Sequence, residues 1–393
     1  MKVNKWTLGL AAVGLVSLPS MTQAEEKAST LMTALSSTTI SGYVDTSIQW
    51  DPGTGNANPP GFIYNSGKQD GFNLNKVKLR IERPLDEAQW AAGYRVDLLF
   101  GPDANTFATR SSGTSADFAI QQAYVSLRAP VGNGLDFKLG VFDGIIGYES
   151  HDSVNNPNYT RSYGTTIEPH THTGLLATYQ VSDMVRFAAG IANTFGPAIN
   201  ERANPPKAES YKTYMAAVSL TAPESFGYAK GATIDAGVVN GANKAINGGT
   251  TAQTSFYTGV TVPTPVTALK VGASYDYAGV NSSATTESTY ANVFAWYASY
   301  QATDKLSFHG RGEYLWQNKN LVAVDHIPSK VFAATGTVQY DLWKNVLSRL
   351  EIRWDHAADG TKAYGGGFAA DGDPLPPTKK NAVLIAANVI YKF

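Results

Sequence analysis

Cysteine is absent from all 393 residues, which removes disulfides, thiolate catalysis and cysteine-ligated zinc together. Charge is scarce: only 16% of the residues are Asp, Glu, Lys or Arg, against about 25% in an ordinary soluble domain. The 31 basic and 32 acidic residues nearly cancel and form no basic block, so a nucleic-acid partner has no electrostatic footprint. Long hydrophobic runs are missing as well. Past the first 20 positions no stretch approaches the roughly 18 apolar residues that a transmembrane helix needs. Disorder is excluded from the other side, because a chain that is 43% hydrophobic and 11% aromatic would bury those groups.

The first residues carry an address. Lys2 and Lys5 precede an apolar run from Trp6 to Leu18, and Thr22, Gln23 and Ala24 lead into Glu25 and Glu26. That is the three-part form of a secretory signal peptide, removed after Ala24. Residues 1–24 are therefore expected to be a signal peptide, 25–37 a short lead-in, and 38–393 one domain of an exported protein.

From Thr38 onward the dominant pattern has a period of two, the mark of strands whose faces differ. In 75–83, Val77, Leu79 and Ile81 alternate with Lys76, Lys78, Arg80 and Glu82. In 89–100, Trp90, Tyr94, Val96 and Leu98 form one face, and Arg95 and Asp97 point the other way. In 346–356, Leu350, Ile352 and Trp354 oppose Arg349, Glu351, Arg353 and Asp355. A soluble sandwich also alternates, but it keeps its apolar face inside, whereas a membrane barrel turns that face outward and lines a lumen with the polar one. Trp50, Trp90, Trp316, Trp343, Trp354 and Tyr391 lie near strand ends, as interfacial girdles do. Almost no formal charge falls on the apolar faces within the strands. One at the membrane midplane would cost up to about 2–4 kcal/mol.

Connection lengths give the closure. Tight turns such as 84–88, 130–134, 182–183, 263–267, 302–303 and 343–344 alternate with the longer loops 51–70, 101–116, 144–170, 194–210, 241–252, 279–289, 318–330 and 357–380. The long segments are rich in Gly, Asn, Pro, Ser and Asp, which favour irregular backbone. The expected fold is all-β: a closed, antiparallel, up-and-down transmembrane β-barrel of about sixteen strands around a water-filled lumen, with both termini on the periplasmic side. Closure is obligatory, because an unpaired backbone group facing lipid costs several kcal/mol. The last strand, 381–393, alternates Val383, Ile385, Ala387, Val389 and Tyr391 and finishes on Phe393. It resembles the assembly signal of bacterial outer-membrane proteins.

Residues 139–150 (LGVFDGIIGYES), 155–180 (NNPNYTRSYGTTIEPHTHTGLLATYQ) and the opening 40–47 (ISGYVDTS) together resemble the OmpL-like β-barrel porin family of Gram-negative bacteria. The resemblance implies an outer-membrane barrel for passive transport of small solutes, and it carries over no catalytic residue. It also implies a porin held in outer-membrane lipid and lipopolysaccharide, inserted by the barrel-assembly machinery. A homotrimer follows by analogy with sixteen-stranded porins. The expected function is an aqueous channel for small hydrophilic solutes and ions. The alternatives are a structural or adhesive surface barrel with a plugged lumen, and a barrel-embedded hydrolase.

Selectivity in such a pore comes from lumen charges and from any loop folded inward. The longest loop, 144–170, follows the fifth strand and carries Glu149, Asp152 and Glu168 beside Arg161. Facing it are the lumen-side cations Lys76, Lys78, Arg80, Arg95, Arg311 and Arg353. An acidic loop opposite a basic wall would set a transverse field across a narrow eyelet. The ion preference stays unsigned, because the lumen cations only slightly exceed the lumen acids. No hydrolase elbow, zinc helix, phosphate loop or dinucleotide fingerprint occurs, so neither an enzyme nor a cofactor is expected. His170 and His172 share a strand face without an evident third ligand, and Asp371 and Asp373 read as loop formers.

Overall fold

The structure, a computed structural model, describes residues 38–53, 56–61, 68–104, 117–203, 209–242, 252–281, 288–318 and 328–393. The signal peptide and lead-in expected over 1–37 lie outside the described residues. Sixteen strands run in chain order: β1 (Thr39–Trp50), β2 (Gly71–Arg83), β3 (Ala92–Phe100), β4 (Phe118–Ala129), β5 (Leu135–Asp143), β6 (Thr171–Ser182), β7 (Val185–Ala192) and β8 (Thr213–Thr221) make the first half. The second half is β9 (Thr233–Ala242), β10 (Ala252–Pro263), β11 (Leu269–Val280), β12 (Thr289–Gln301), β13 (Leu306–Gln317), β14 (Lys330–Trp343), β15 (Val346–Ala357) and β16 (Asn381–Lys392). Each pairs antiparallel with its sequence neighbours, and β1 pairs with β16 to close the cylinder. The seam runs from Tyr43 opposite Lys392 to Trp50 opposite Ile385, and Gly42 and Phe393 exchange backbone bonds of 2.9 and 3.0 Å.

Alternation explains the two surfaces. Across β12 to β15 the register aligns Tyr297, Arg311, Thr335 and Arg353 on the inner face, with Trp296, Gly310, Gly336 and Ile352 on neighbouring outer positions. Outward side chains such as Leu139, Phe187, Trp296, Leu350 and Ile352 stay exposed, as a hydrocarbon-facing wall requires. Aromatic rings line one rim in a chain of contacts, Phe256 to Tyr275 (6.4 Å), Tyr275 to Trp316 (6.3 Å) and Tyr314 to Phe332 (4.5 Å). Tyr300, Tyr340, Trp343 and Tyr391 are exposed near the opposite end.

Two connections depart from the sequence pattern. The strand expected from residue 89 begins at Ala92, because Trp90 has a left-handed backbone (φ 60°) and belongs to the turn after β2. A bulky residue rarely takes that conformation, so an apolar residue in register read as strand. The turn between β8 and β9 holds a 3-10 helix, Glu224–Ala229, and is longer than a hairpin turn.

Candidate functional site: the loop inside the barrel

The loop between β5 and β6 does not cover the mouth; it enters the barrel and touches the wall on several sides. Its first residues are apolar. Ile145, Ile146 and Tyr148 pack with Phe142, Leu176, Met215, Val239 and Tyr257 on the inner faces of β5, β6 and β8 to β10. Tyr148 stacks on Tyr297 with ring centres 4.1 Å apart and shares a 3.0 Å hydrogen bond with Thr261. The loop then turns back. Asn156 accepts from the Ser150 amide (2.8 Å) and donates to the Asp152 carbonyl (2.9 Å), which tightens residues 150–156 into one knot. A short helix, α1 (Tyr163–Ile167), follows, capped by Ser162, whose hydroxyl accepts from the Thr165 amide. Tyr159, Tyr163 and Ile167 fill a second apolar cluster with Val293, Leu315 and Leu384.

Between the two apolar contacts lie the ions. Asp152 meets Lys78 at 2.5 Å and Arg80 at 3.1 Å, and Tyr43 donates to it at 3.5 Å. Burial raises the Asp152 carboxyl, but Lys78 and Arg80 outweigh it and hold the group well below the usual carboxylate range. Lys76 donates to the His151 carbonyl at 2.9 Å. On the other side, Glu149 meets Arg311 at 2.8 Å, and its second oxygen accepts from the Ser162 amide at 2.9 Å. Arg311 also bonds the Thr160 carbonyl (2.9 Å), and Arg353 bonds the Arg161 carbonyl (2.7 Å). Glu351 takes the Tyr159 and Thr160 amides at 2.6 and 2.8 Å, and Glu313 takes the Tyr163 amide at 2.7 Å. The wall therefore satisfies the loop backbone as well as its charges, which is what allows irregular backbone at membrane depth.

Each expected site residue has a definite place. Glu149 and Asp152 contact the basic wall directly, so at these pairs no water gap separates acid from base, and the transverse field closes through ion pairs. Lys78, Arg80 and Arg311 are direct partners of the loop acids, whereas Lys76 and Arg353 hold its carbonyls. Arg95 does not reach the loop; it pairs with Asp97 (2.7 Å) and Glu82 (3.9 Å). Arg161 is buried and donates back to the Tyr159 carbonyl at 3.1 Å.

Glu168 departs from the expectation most. Among the described residues it pairs with no cation but hydrogen-bonds Asp276 on β11, another carboxyl, so one of the two carries a proton. Burial first, then the Asp276 charge, pushes the Glu168 carboxyl well above its ordinary range. Two loop glycines make room for this pair. A Cβ on Gly147 (φ 123°) would sit 2.3 Å from the Glu168 carboxyl, and one on Gly164 would sit 2.5 Å from the Asp276 carboxyl. Any side chain at either position would displace the pair.

The wall is also less basic than its cations alone imply. Asp97 is bridged by Lys78 (2.9 Å) and Arg80 (2.9 Å), Glu313 by Arg311 (2.7 Å) and Arg353 (3.4 Å), and Asp355 by Arg353 (2.9 Å). Glu313 sits two residues from Arg311, Asp355 two from Arg353 and Asp97 two from Arg95 on the same strand faces, a spacing visible in the sequence, whereas the bridges from Lys78 and Arg80 to Asp97 and from Arg353 to Glu313 cross strands. A histidine pair joins His151, in the knot of residues 150–156, to His170, the last residue before β6, at 2.9 Å, and His172 packs beside Phe142. Among the described residues no group of three or more His, Asp or Glu could hold a metal ion. Asp371 accepts from the Asp373 amide (3.2 Å), an ordinary turn contact. Nearer the end that carries the short turns the inner face is half open, with Lys138, Thr178, Asp235 and Lys270 only partly buried.

A closed sixteen-stranded barrel, apolar outside and ionic inside, with its longest loop turned into the lumen, defines a porin-type outer-membrane channel. The chain belongs to the family described as "Putative beta-barrel porin-2, OmpL-like", whose model matches residues 37–393. No curated protein matches the chain. Among solved structures it is similar to the anion-selective porin from Comamonas acidovorans, at 11% identity and TM-score 0.59 over 91% of this chain and 99% of that one. It is similar to the outer membrane channel DcaP of Acinetobacter baumannii at 12% identity, TM-score 0.57, over 91% and 97% of the two chains. The trimer form of OmpT, an outer membrane protein of Vibrio cholerae, gives 14% identity and TM-score 0.55 over 91% and 99%. At these identities the likeness concerns the fold.

Proposed function

We propose that the protein is a non-enzymatic diffusion porin, through which small hydrophilic solutes and ions pass a constriction formed by loop 144–170. The observation that carries this reading is the placement of the ionic side chains. They face the lumen on β2, β3, β13 and β15 around the inserted loop, while the membrane-facing wall is apolar. Glu149, Asp152, Arg161 and Glu168 of the loop, with Lys76, Lys78, Arg80, Arg311 and Arg353 of the wall, then set what passes; Arg95 tunes the potential through Asp97. The protein reaches the outer membrane through the periplasm after loss of residues 1–24, is inserted by the assembly machinery, and sits among lipid and lipopolysaccharide. It acts as a homotrimer, a reading supported by the trimer form of one structural neighbour.

Single-channel recording in planar bilayers tests the proposal: stepwise openings on the nanosiemens scale are expected from folded protein. Their consistent absence would favour the second reading, a plugged structural or adhesive barrel. That reading draws on one feature, the near-complete burial of loop residues such as Thr160, Arg161 and Tyr163.

A further inference from the structure

Charge is spent unevenly around the lumen. On β13 and β15 the cations are sealed from water: the side chains of Arg311 and Arg353 have no exposed surface, and each has a carboxylate at contact distance. On β2 and β3 they are open. Arg80 and Arg95 keep 23% and 22% of their side-chain surface exposed on the inner face, while Asp97, the carboxylate they share with Lys78, has none. The cluster thus buries its acid and presents its guanidinium groups to the lumen. The remaining acid of these two strands, Glu82, stands off from Arg95 at 3.9 Å.

The guanidinium bonds leave donors over. Arg80 reaches Asp97 through Nε (2.9 Å) and Nη2 (3.2 Å), and Asp152 through Nη2 (3.1 Å). Arg95 reaches Asp97 through Nε and Nη2, at 3.0 and 2.7 Å. On both residues Nη1 makes no hydrogen bond among the described residues. The next free cation along the wall is Lys138 on β5, since Arg128 is spent on Asp136 at 2.6 Å. Lys138 makes no hydrogen bond or ion pair among the described residues, and its ammonium rests 4.9 Å from the centre of the Tyr124 ring. Tyr124 on β4 is the direct register partner of Arg95 and lies within electrostatic reach of that guanidinium. Arg95 and Lys138 therefore flank one partly buried ring. Asp97, Asp152 and Glu82 are already matched by Lys78, Arg80 and Arg95, so Lys138 has no counter-charge in this cluster.

We propose that this side of the lumen is a binding site for a small oxyanion, a carboxylate or phosphate group shared between the spare Arg95 edge and the Lys138 ammonium across the Tyr124 ring, with Arg80 extending the cationic strip along β2. A guanidinium edge and an ammonium on either side of one ring match a group that offers several acceptor oxygens, which a spherical halide does not. Any such ligand also supplies the counter-charge that Lys138 lacks. The inference deepens the porin reading by naming the solute class the pore collects, and it rests on that reading only for how the anion reaches the lumen.

The test is calorimetric titration of the folded barrel in detergent, at fixed ionic strength, with phosphate, acetate and chloride. Saturable binding of phosphate or acetate is expected, the tighter of the two telling which oxyanion the site prefers, with chloride at least about tenfold weaker. Lys138→Gln, which breaks no ion pair, should weaken the oxyanion about tenfold, the loss of one charge-assisted bond. Lys305→Gln, at an exposed cation in the turn before β13, should leave binding unchanged. Heat-modifiable gel mobility verifies that both variants fold. No oxyanion binding to folded protein, chloride binding equally well, or the same loss in both variants would overturn the inference, the last by reducing it to diffuse charge. Conductance on the same preparation separates the two claims. Open channels without oxyanion binding sink the site and leave the porin, whereas binding without conductance supports the site and sinks the porin.

Discussion

At the scale of single residues, the ion pairs decide both stability and selectivity. Glu149 and Asp152 each neutralise wall cations at contact distance. Replacing them with Gln and Asn leaves Arg311, Lys78 and Arg80 with fewer acids around them. The double variant should therefore shift the reversal potential in a salt gradient toward anions, and an unchanged value would mean that these groups lie off the ion path. Arg353 is fully buried between Glu313, Asp355 and the Arg161 carbonyl. Removing one member of such a cluster strands the rest, so Arg353→Met should cost about 3–5 kcal/mol, read as a lower urea midpoint for unfolding in detergent. The wall residues Lys78, Arg80, Arg311, Glu313, Arg353 and Asp355 are legible from alternation alone, since each occupies an inward position of a period-two strand, whereas Glu149 and Asp152 are legible only as acids of a long loop. Their partners are not. The sequence groups Glu168 with acids facing cations, whereas it meets Asp276, and no spacing in the sequence announces a contact between residues so far apart.

At the scale of the element, the inserted loop is held by apolar packing at both ends, ion pairs along its length, and one proton. Glu168 has its carboxyl raised by burial and by Asp276, with Glu149 adding to the push. An acid whose pKa is higher when docked binds the loop best below its ordinary value of 4.5, and that contribution fades as pH rises toward the docked value. Protease sensitivity or hydrogen exchange of 144–170 should therefore increase from pH 5 to pH 9. Glu168→Gln, which keeps a donor without a titrating proton, should flatten the trend; an identical slope in the variant would place the titrating group elsewhere. The strands were readable because a two-residue period survives any tertiary context that keeps one face dry. The loop was readable only as long and acidic. Its path depends on contacts with strands from β1 to β16, which local propensity does not encode.

At the scale of the whole molecule, the apolar wall is a claim about the solvent around it. Leu350 is an exposed, outward residue in the interior of β15. Leu350→Arg should cost up to about 2–4 kcal/mol in a bilayer, measured as reduced folding into vesicles, and far less if that face met water. The cylinder's seam has a further consequence, for timing. Asp45 on β1 receives the Asn388 side chain of β16 at 2.7 Å, and the loop's amides are taken by Glu351 on β15. A growing chain holds β1 to β5 and the whole loop long before either partner has been made. Until then the first strand has an open edge and the loop has no dock. Pairings separated by most of the chain are slow to find, so order inside the pore should emerge last, as a product of closure.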